Sequence, residues 1–289
     1  MDAGTFIAID WGTTNRRIYV IERGVVSTTQ GDARGVTAVT DFGEELVHVR
    51  ARFGDLPLLL AGMIGSTIGW REARYVAAPA GLSDLSDNLL RIDSRTAIVP
   101  GVSFVDGQRG DVMRGEEVQL LGAVAGELAP PDAMLVQPGT HCKWVQMEGA
   151  RIASFTTAMT GELFALVRSH GILSPQLGAE VSMGDAFLAG VDEGRRRDVT
   201  ASLFGVRAAK LLGLRDDVDA ASFASGLIIG ADVAARAAAH DFDTAYILGD
   251  SQLAALYAAA VEANGRSAQI IDSNAAFLAG IVRIGATLW

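Results

Sequence analysis

Ile9-Asp10-Trp11-Gly12-Thr13-Thr14-Asn15 and, far along the chain, Gln137-Pro138-Gly139-Thr140-His141-Cys142-Lys143 are the two stretches whose reading decides the fold. Each is a glycine-threonine turn set between apolar runs. Around the first, residues 5–30 read as apolar run, turn, apolar run, an Arg23-Gly24 turn and a third apolar run, which predicts three antiparallel strands. Around the second, residues 133–136, 143–147 and 151–155 repeat that scheme. Placing Gly12-Thr13 on Gly139-Thr140 also sets Ile18 on Val145 and Val20 on Met147, with the next turn arriving two residues earlier. The chain therefore carries an internal duplication of strand, Gly-Thr turn, strand, turn, strand.

Such turns suit phosphate. Glycine lets the backbone approach an anion, the Thr13 and Thr14 hydroxyls and the successive amides through Asn15 can donate to it, and Asp10 can hold a magnesium ion through water. A lone turn of this kind is also what a tight hairpin with an Asx-type hydrogen bond looks like. The repeat weighs against that plainer reading. The second turn keeps Gly139-Thr140 and adds His141 and Lys143, but puts Gln137 where the first has Asp10. One nucleotide–magnesium complex needs only one such carboxylate. His141 is placed for phosphate or backbone bonding rather than as a base, and Lys143 is either a phosphate donor or a solvated strand lysine.

Outward from the two turns the chain reads as mixed α/β. A helix is expected over residues 41–53 and a strand buried on both faces over 56–61. Residues 62–93, rich in Gly, Ser, Ala and Arg, read as a long functional loop, and 107–115 as a glycine-spaced polar loop before a helix over 116–128. Helices are expected over 161–170, 179–193, 202–212 and 220–239. A closing strand-helix-strand-helix pattern over 244–282 predicts a parallel sheet edge. Gly226 and Gly230, four apart, suit a close helix crossing, expected to lie between lobes. Two lobes are expected: 1–110, with the first turn, and 111–289, with the second and most of the helices, the last helix packing back on the N-terminal lobe.

With 289 residues, 49% apolar and 20% charged, the chain has the balance of a packed globular protein. A net charge of −10 disfavours nucleic acid as a partner, and the greasiest stretches are too interrupted for a membrane span. Cys142 is the only cysteine, so no intrachain disulfide can form. With no secretion signal read at residues 1–4, a cytoplasmic location is expected; a homodimer is left open.

Five separated blocks, one of them the second turn itself, carry a resemblance. Gly62-Met63-Ile64-Gly65-Ser66, Gly69-Trp70-Arg71-Glu72, Asp111-Val112-Met113-Arg114-Gly115-Glu116-Glu117, Pro138-Gly139-Thr140-His141-Cys142-Lys143-Trp144 and Met159-Thr160-Gly161-Glu162-Leu163-Phe164 resemble, in order, the 2-dehydro-3-deoxygalactonokinases. More broadly, the paired turns and the late Gly249-Asp250-Ser251 junction look like the phosphate 1, phosphate 2 and adenosine elements of the actin, hexokinase and heat-shock chaperone superfamily. The resemblance implies a two-lobed actin-like (ribonuclease H-like) ATPase fold, with duplicated mixed sheets, flanking helices and an interlobe nucleotide cleft.

It also implies ATP and Mg²⁺ as cofactors and a small sugar acid as substrate: the γ-phosphate would pass to the terminal hydroxyl of 2-dehydro-3-deoxy-D-galactonate. Phosphate and nucleotide contacts would fall to Asp10, Gly12, Thr13, Thr14, Asn15, Gly139, Thr140, His141, Lys143, Gly249 and Asp250, with Asp10 on the metal. Sugar-acid contacts would fall to Gly62, Met63, Gly65, Ser66, Trp70, Arg71 and Glu162, with Arg71 facing the carboxylate and Trp70 either on the sugar or in the core. The base that takes the hydroxyl proton would be Asp111, Glu116 or Glu117, with Asp111 ranked first. A kinase for another sugar or keto-deoxy acid, or a non-enzymatic actin-like nucleotide switch, remain as alternatives.

Overall fold

The computed structural model describes residues 4–196, 198–249 and 252–288. The first half of the chain forms β1 (Phe6–Trp11), β2 (Arg16–Glu22), β3 (Val25–Asp32), α1 (Phe42–Phe53), β4 (Leu58–Gly62), β5 (Tyr75–Ala77), α2 (Leu82–Asp87), β6 (Leu90–Asp93), β7 (Thr96–Ile98), β8 (Gly101–Asp106), β9 (Arg109–Met113) and α3 (Glu116–Ala125). Next come β10 (Ala133–Gln137), β11 (Cys142–Glu148), β12 (Arg151–Ala158), α4 (Thr160–His170), α5 (Asp185–Arg196), α6 (Val199–Leu211) and α7 (Asp217–Ala239). The last elements are β13 (Thr244–Leu248), α8 (Gln252–Ala263), β14 (Ser267–Ile271) and α9 (Ser273–Gly285).

Three sheets result, in the orders β3-β2-β1-β4-β7-β6, β12-β11-β10-β13-β14 and β5-β8-β9. The first two are the duplicated units, each a three-stranded meander joined to parallel strands, with β6 closing the first sheet antiparallel to β7. β1 runs antiparallel to β2 and parallel to β4, while β10, β13 and β14 are parallel. The likeness extends to the second hairpin. Arg23 and Gly24 have φ 51° and 80°, and Gly149 and Ala150 have φ 53° and 62°, both pairs matching the two-residue turn that follows strand twist.

Cα packing divides the chain into two compact units. The first holds the residues up to Asp132, Met147–Phe155 and those from Ser273 onward; the second holds Ala133–Gln146 and Thr156–Asp272. The first thus runs past residue 110, because α3 packs against α9. Its core gathers on β1 and β4, where Ile7, Ile9, Trp11, Leu58 and Leu60 are fully buried. Each such side chain contributes about 1.5–3 kcal/mol relative to exposure. α1 starts where the Asp41 carboxylate accepts the Glu44 amide at 3.0 Å, and it ends with Arg50 and Arg52 toward the negative pole of the helix dipole.

In the second unit α5 lies against α7 at backbone contact. A side chain at Gly226 would put its Cβ 2.1 Å from the Phe187 carbonyl oxygen, and one at Gly190 would lie 2.1 Å from that of Phe223. The close crossing expected of Gly226 therefore exists, but within this unit rather than between lobes. α7 is long and apolar enough to cross a bilayer, yet most of that stretch is buried in the unit.

Two loop expectations are corrected. Residues 62–93 are structured, with a 3₁₀ turn at Met63–Gly65, then β5, α2 and β6; elements of three to six residues are too short to establish a hydrophobic period. Residues 107–115 contain β9, paired antiparallel to β8 with Asp111 opposite Phe104. β9 is an edge strand with four of its five residues outside the buried class, so it lacks the apolar alternation that marks a strand.

Candidate active site

Asp10 is the penultimate residue of β1, opposite Arg17 on β2 and Ala61 on β4. Burial pushes its carboxyl up to about 6; Arg17 pulls against this, and the charge of Glu116 adds to it.

The Gly12 turn that follows is tied down by its carbonyls. The Gly12 amide closes the turn on the Asn15 carbonyl at 2.9 Å, while the Gly12, Thr13 and Thr14 carbonyls accept the amides of Val36, Thr37 and Gly35 at 3.0, 3.2 and 3.0 Å. The Thr37 hydroxyl also donates to the Thr13 carbonyl at 2.9 Å. Residue 35 must be glycine here, since a Cβ would lie 2.2 Å from the Thr13 carbonyl oxygen. Among the described residues no protein acceptor takes the Thr13, Thr14 or Asn15 amides, and all three residues are exposed. This is an oxyanion cradle braced from behind.

Gly62 and Gly115 bring the start of α3 to this end of the sheet. Both have positive φ, 93° and 108°, and a Cβ on Gly115 would lie 3.2 Å from the Gly62 Cα. With no side chain at Gly115 to cap α3, its first residues fold back. Glu116 accepts the Arg114 amide at 3.1 Å, and Glu117 accepts the Gly115 amide at 2.7 Å. Glu117 is fully buried, and its other oxygen has no hydrogen-bond partner among the described residues. Burial and the Glu116 charge push its carboxyl up to about 8, against the pull of the Glu117 and Gly115 amides and Arg114.

The charge of Glu116 thus acts on Asp10 on one side and on its neighbour Glu117 on the other. Asp111 is outside this cluster: it sits on β9, half-buried, and its carboxylate accepts the amide of neighbouring Val112 at 2.8 Å.

The linkage sign for Glu117 follows from these values. Between its ordinary 4.5 and about 8 the folded state keeps a proton that the unfolded chain has released. Its contribution to stability therefore falls as pH rises through that window and is gone above about 8. Thermal melts of wild type and Glu117→Gln should show wild type losing ground steadily from pH 5 to 8, the difference then levelling. A difference that does not change with pH would remove the protonated acid.

The loop of residues 62–74 folds back on itself. The Trp70 amide donates to the Ile64 carbonyl at 2.9 Å, the Ala73 amide to that of Gly65 at 2.9 Å and the Ser66 hydroxyl to that of Met63 at 2.7 Å. Trp70 and Met63 are half-buried against the core of the first unit. Arg71 is exposed, its guanidinium 6.0 Å from the centre of the Trp70 ring.

The sequence reading passed over Arg114, although it lies inside one of the quoted blocks. It is 8% exposed, donates to the Ala73 carbonyl at 2.7 Å, lies 4.4 Å over the Tyr75 ring, and among the described residues has no partner for Nε and Nη1. A buried cation can be recognised only once the fold around it is known.

In the second unit the Gly139 turn repeats the pattern: among the described residues the Gly139, Thr140 and His141 amides meet no protein acceptor. Helix α4 starts on this turn, with the Glu162 amide donating to the Thr140 carbonyl at 2.9 Å and the Glu162 carboxylate 2.5 Å from His141 Nε2. Lys143 is buried rather than solvated, donating to Thr157 Oγ1 at 2.8 Å. Behind the turn, Thr160 Oγ1 lies 2.7 Å from the Tyr257 hydroxyl, and Trp144 Nε1 donates to Asp232 at 2.9 Å. The Gly249 amide donates to the Ile271 carbonyl at 3.1 Å; Asp250 lies outside the described residues.

Two donor-rich turns on duplicated mixed sheets define an actin-like ATPase fold. The activator of the 2-hydroxyisocaproyl-CoA dehydratase from Clostridium difficile, solved with bound ADPNP, shares it at a TM-score of 0.52 and 8% identity, covering 99% of this chain and 96% of that one. Much nearer is a crystal structure of a 2-dehydro-3-deoxygalactonokinase protein from Sinorhizobium meliloti, with a TM-score of 0.92, 34% identity and coverage of 98% and 99%. The 2-dehydro-3-deoxygalactonokinase of Escherichia coli (strain K12) is 36% identical over 283 residues, 96% of each chain. The family profile of 2-keto-3-deoxy-galactonokinase matches residues 10–284. The chain belongs to that family: it is a kinase, and it uses ATP.

Proposed function

We propose that the chain transfers the γ-phosphate of ATP to the terminal hydroxyl of 2-dehydro-3-deoxy-D-galactonate, giving the 6-phosphate in galactonate catabolism, in the cytoplasm. Full-length similarity to kinases of that name supports the substrate class. The observation that carries the mechanism is the coupling of Asp10 to Glu116 beside a turn whose Thr13, Thr14 and Asn15 amides meet no protein acceptor among the described residues.

The residues fit the cofactors. Thr13, Thr14 and Asn15 in one unit, and Gly139, Thr140 and His141 in the other, offer amides to phosphate oxygens. Among the described residues no group of three His, Cys, Asp or Glu side chains gathers that could hold a metal. That suits magnesium held by Asp10 together with waters and phosphates. The ion, when bound, supplies positive charge to the phosphates. Asp10 in turn is relieved of the cost of its buried charge.

Glu116 is the base in this reading, in place of Asp111. It is half-buried, it shares the field of Asp10, and α3 holds it there through the Arg114 amide. Its task is to accept the substrate hydroxyl proton as the oxygen attacks. Glu117, neutral at pH 7, cannot do this; it fixes the Gly115 amide and with it the start of α3. The loop of residues 62–74 holds the sugar acid, with Arg71 on its carboxylate.

A coupled ADP-release assay over galactonate- and gluconate-derived keto-deoxy acids and neutral sugars tests the substrate. Preference for a neutral sugar would overturn it. Arg71→Ala should raise KM for the acid about tenfold with kcat nearly unchanged, since a charge-assisted bond equally present in ground and transition states adds only uniform binding. A fall in kcat at constant KM would assign Arg71 elsewhere.

A further inference from the structure

The first unit contains a second concave site, remote in chemistry from the acidic cluster. Between α1 and strands β2 and β3 lies a cavity of about 370 Å³ lined by Arg16, Arg34, Arg52 and His48 with Asp32 and Glu45, within the range of small-ligand pockets. The two carboxylates are committed. Asp32 accepts Arg16 Nε at 2.9 Å and the Arg34 amide at 3.0 Å; Glu45 accepts Arg16 Nη2 at 2.6 Å and Arg34 Nε at 3.1 Å.

The cations keep donors to spare. Arg16 is only 5% exposed, yet its Nη1 has no partner among the described residues, and a buried donor left unpaired is costly. Arg52 and His48 are exposed at the rim, the Arg52 guanidinium 5.3 Å over the Phe53 ring. Three guanidinium groups against two carboxylates leave the cavity positive in a chain whose net charge is −10. Planar guanidinium forks match carboxylate and phosphate oxygens.

We infer that this cavity is a second anion site, taking a small metabolite that bears a phosphate or a carboxylate group. Its occupancy reaches the Gly12 turn through covalent neighbours. The Arg34 carbonyl accepts Trp11 Nε1 at 2.8 Å, the Arg16 guanidinium stacks 5.0 Å from the Trp11 ring, and Gly35 to Thr37 hold the turn's carbonyls. The anion therefore modulates ATP affinity. That consequence rests on the turn's proposed role; binding itself does not.

The test is calorimetry on the full chain saturated with a non-hydrolysable ATP analogue, which blocks the phosphate turns. Inorganic phosphate and pyruvate are titrated separately. Saturable binding of one or both is expected, with a change in tryptophan emission, and the anion that binds identifies the group read. Arg52→Glu and the double variant His48→Ala/Arg52→Ala, both altering exposed side chains, should weaken binding about tenfold or more. No saturable heat with either anion, or unchanged affinity in both variants, overturns the site. The wild-type ADP-release assay reads the catalytic assignment separately.

Discussion

Asp10→Asn should lower kcat by about 10²–10³-fold, the size of loss seen when one preorganised electrostatic contact to a phosphoryl or acyl transition state is removed. The fold should not suffer. Asp10 carries a carboxyl whose folded value is raised from 3.8 to about 6, so its stabilising share is full below 3.8 and lost as pH rises through about 6. At pH 7 the ionised, half-buried form opposes folding, and a neutral amide of the same shape should leave the melting temperature level or higher. Activity has the opposite slope. In the proposed role the ionised form would hold the metal, so wild-type kcat/KM should decline as pH falls through about 6, and added magnesium should move that limb lower. In Asp10→Asn the limb should vanish. A variant that stays active and magnesium-responsive would show that Asp10 does not face the metal.

The fold was readable largely because it is built twice. The two glycine-threonine turns, the spacing of apolar residues around them and the strand-helix-strand-helix ending are long or repeated patterns, and each emerged as sheet or helix within a few residues. What escaped was short. β5, α2 and β9 have three, six and five residues, so neither period nor composition distinguishes them from loop.

The same limit shaped the site. Candidate residues can be gathered from sequence, but burial decides what a charge does, and burial belongs to the folded chain. Glu116 and Glu117 are adjacent and chemically alike in sequence. In the structure one is half-buried beside Asp10, and the other is sealed and raised to about 8. Lys143 read equally well as a solvated strand lysine until β11 was seen to bury it. Arg114 lay inside a quoted block without being singled out, because its distinguishing feature is two buried nitrogens that no described residue satisfies.

Glu116→Gln should reduce kcat by about 10²–10⁴-fold, the usual span for loss of a general base, while leaving KM for the sugar acid within a few-fold. The isosteric amide keeps an oxygen to accept the Arg114 amide at the start of α3, so a folding defect is not expected. Asp111→Asn should do far less. Its carboxylate is engaged with the Val112 amide on an edge strand, and the charges that act on Asp10 are those of Arg17 and Glu116. Glu117→Gln supplies the third comparison: it replaces a neutral acid by a neutral amide, so activity at pH 7 should fall modestly and the fall should not deepen at low pH. Single-turnover measurements at saturating ATP separate the three, since only a base affects the chemical step itself. If Asp111→Asn abolishes that step and Glu116→Gln spares it, proton acceptance belongs to β9, and the coupling between Asp10 and Glu116 serves the metal alone. If all three retain the step, the proton leaves the hydroxyl without a carboxylate from this segment, and the catalytic reading of α3 fails while the phosphate turns stand.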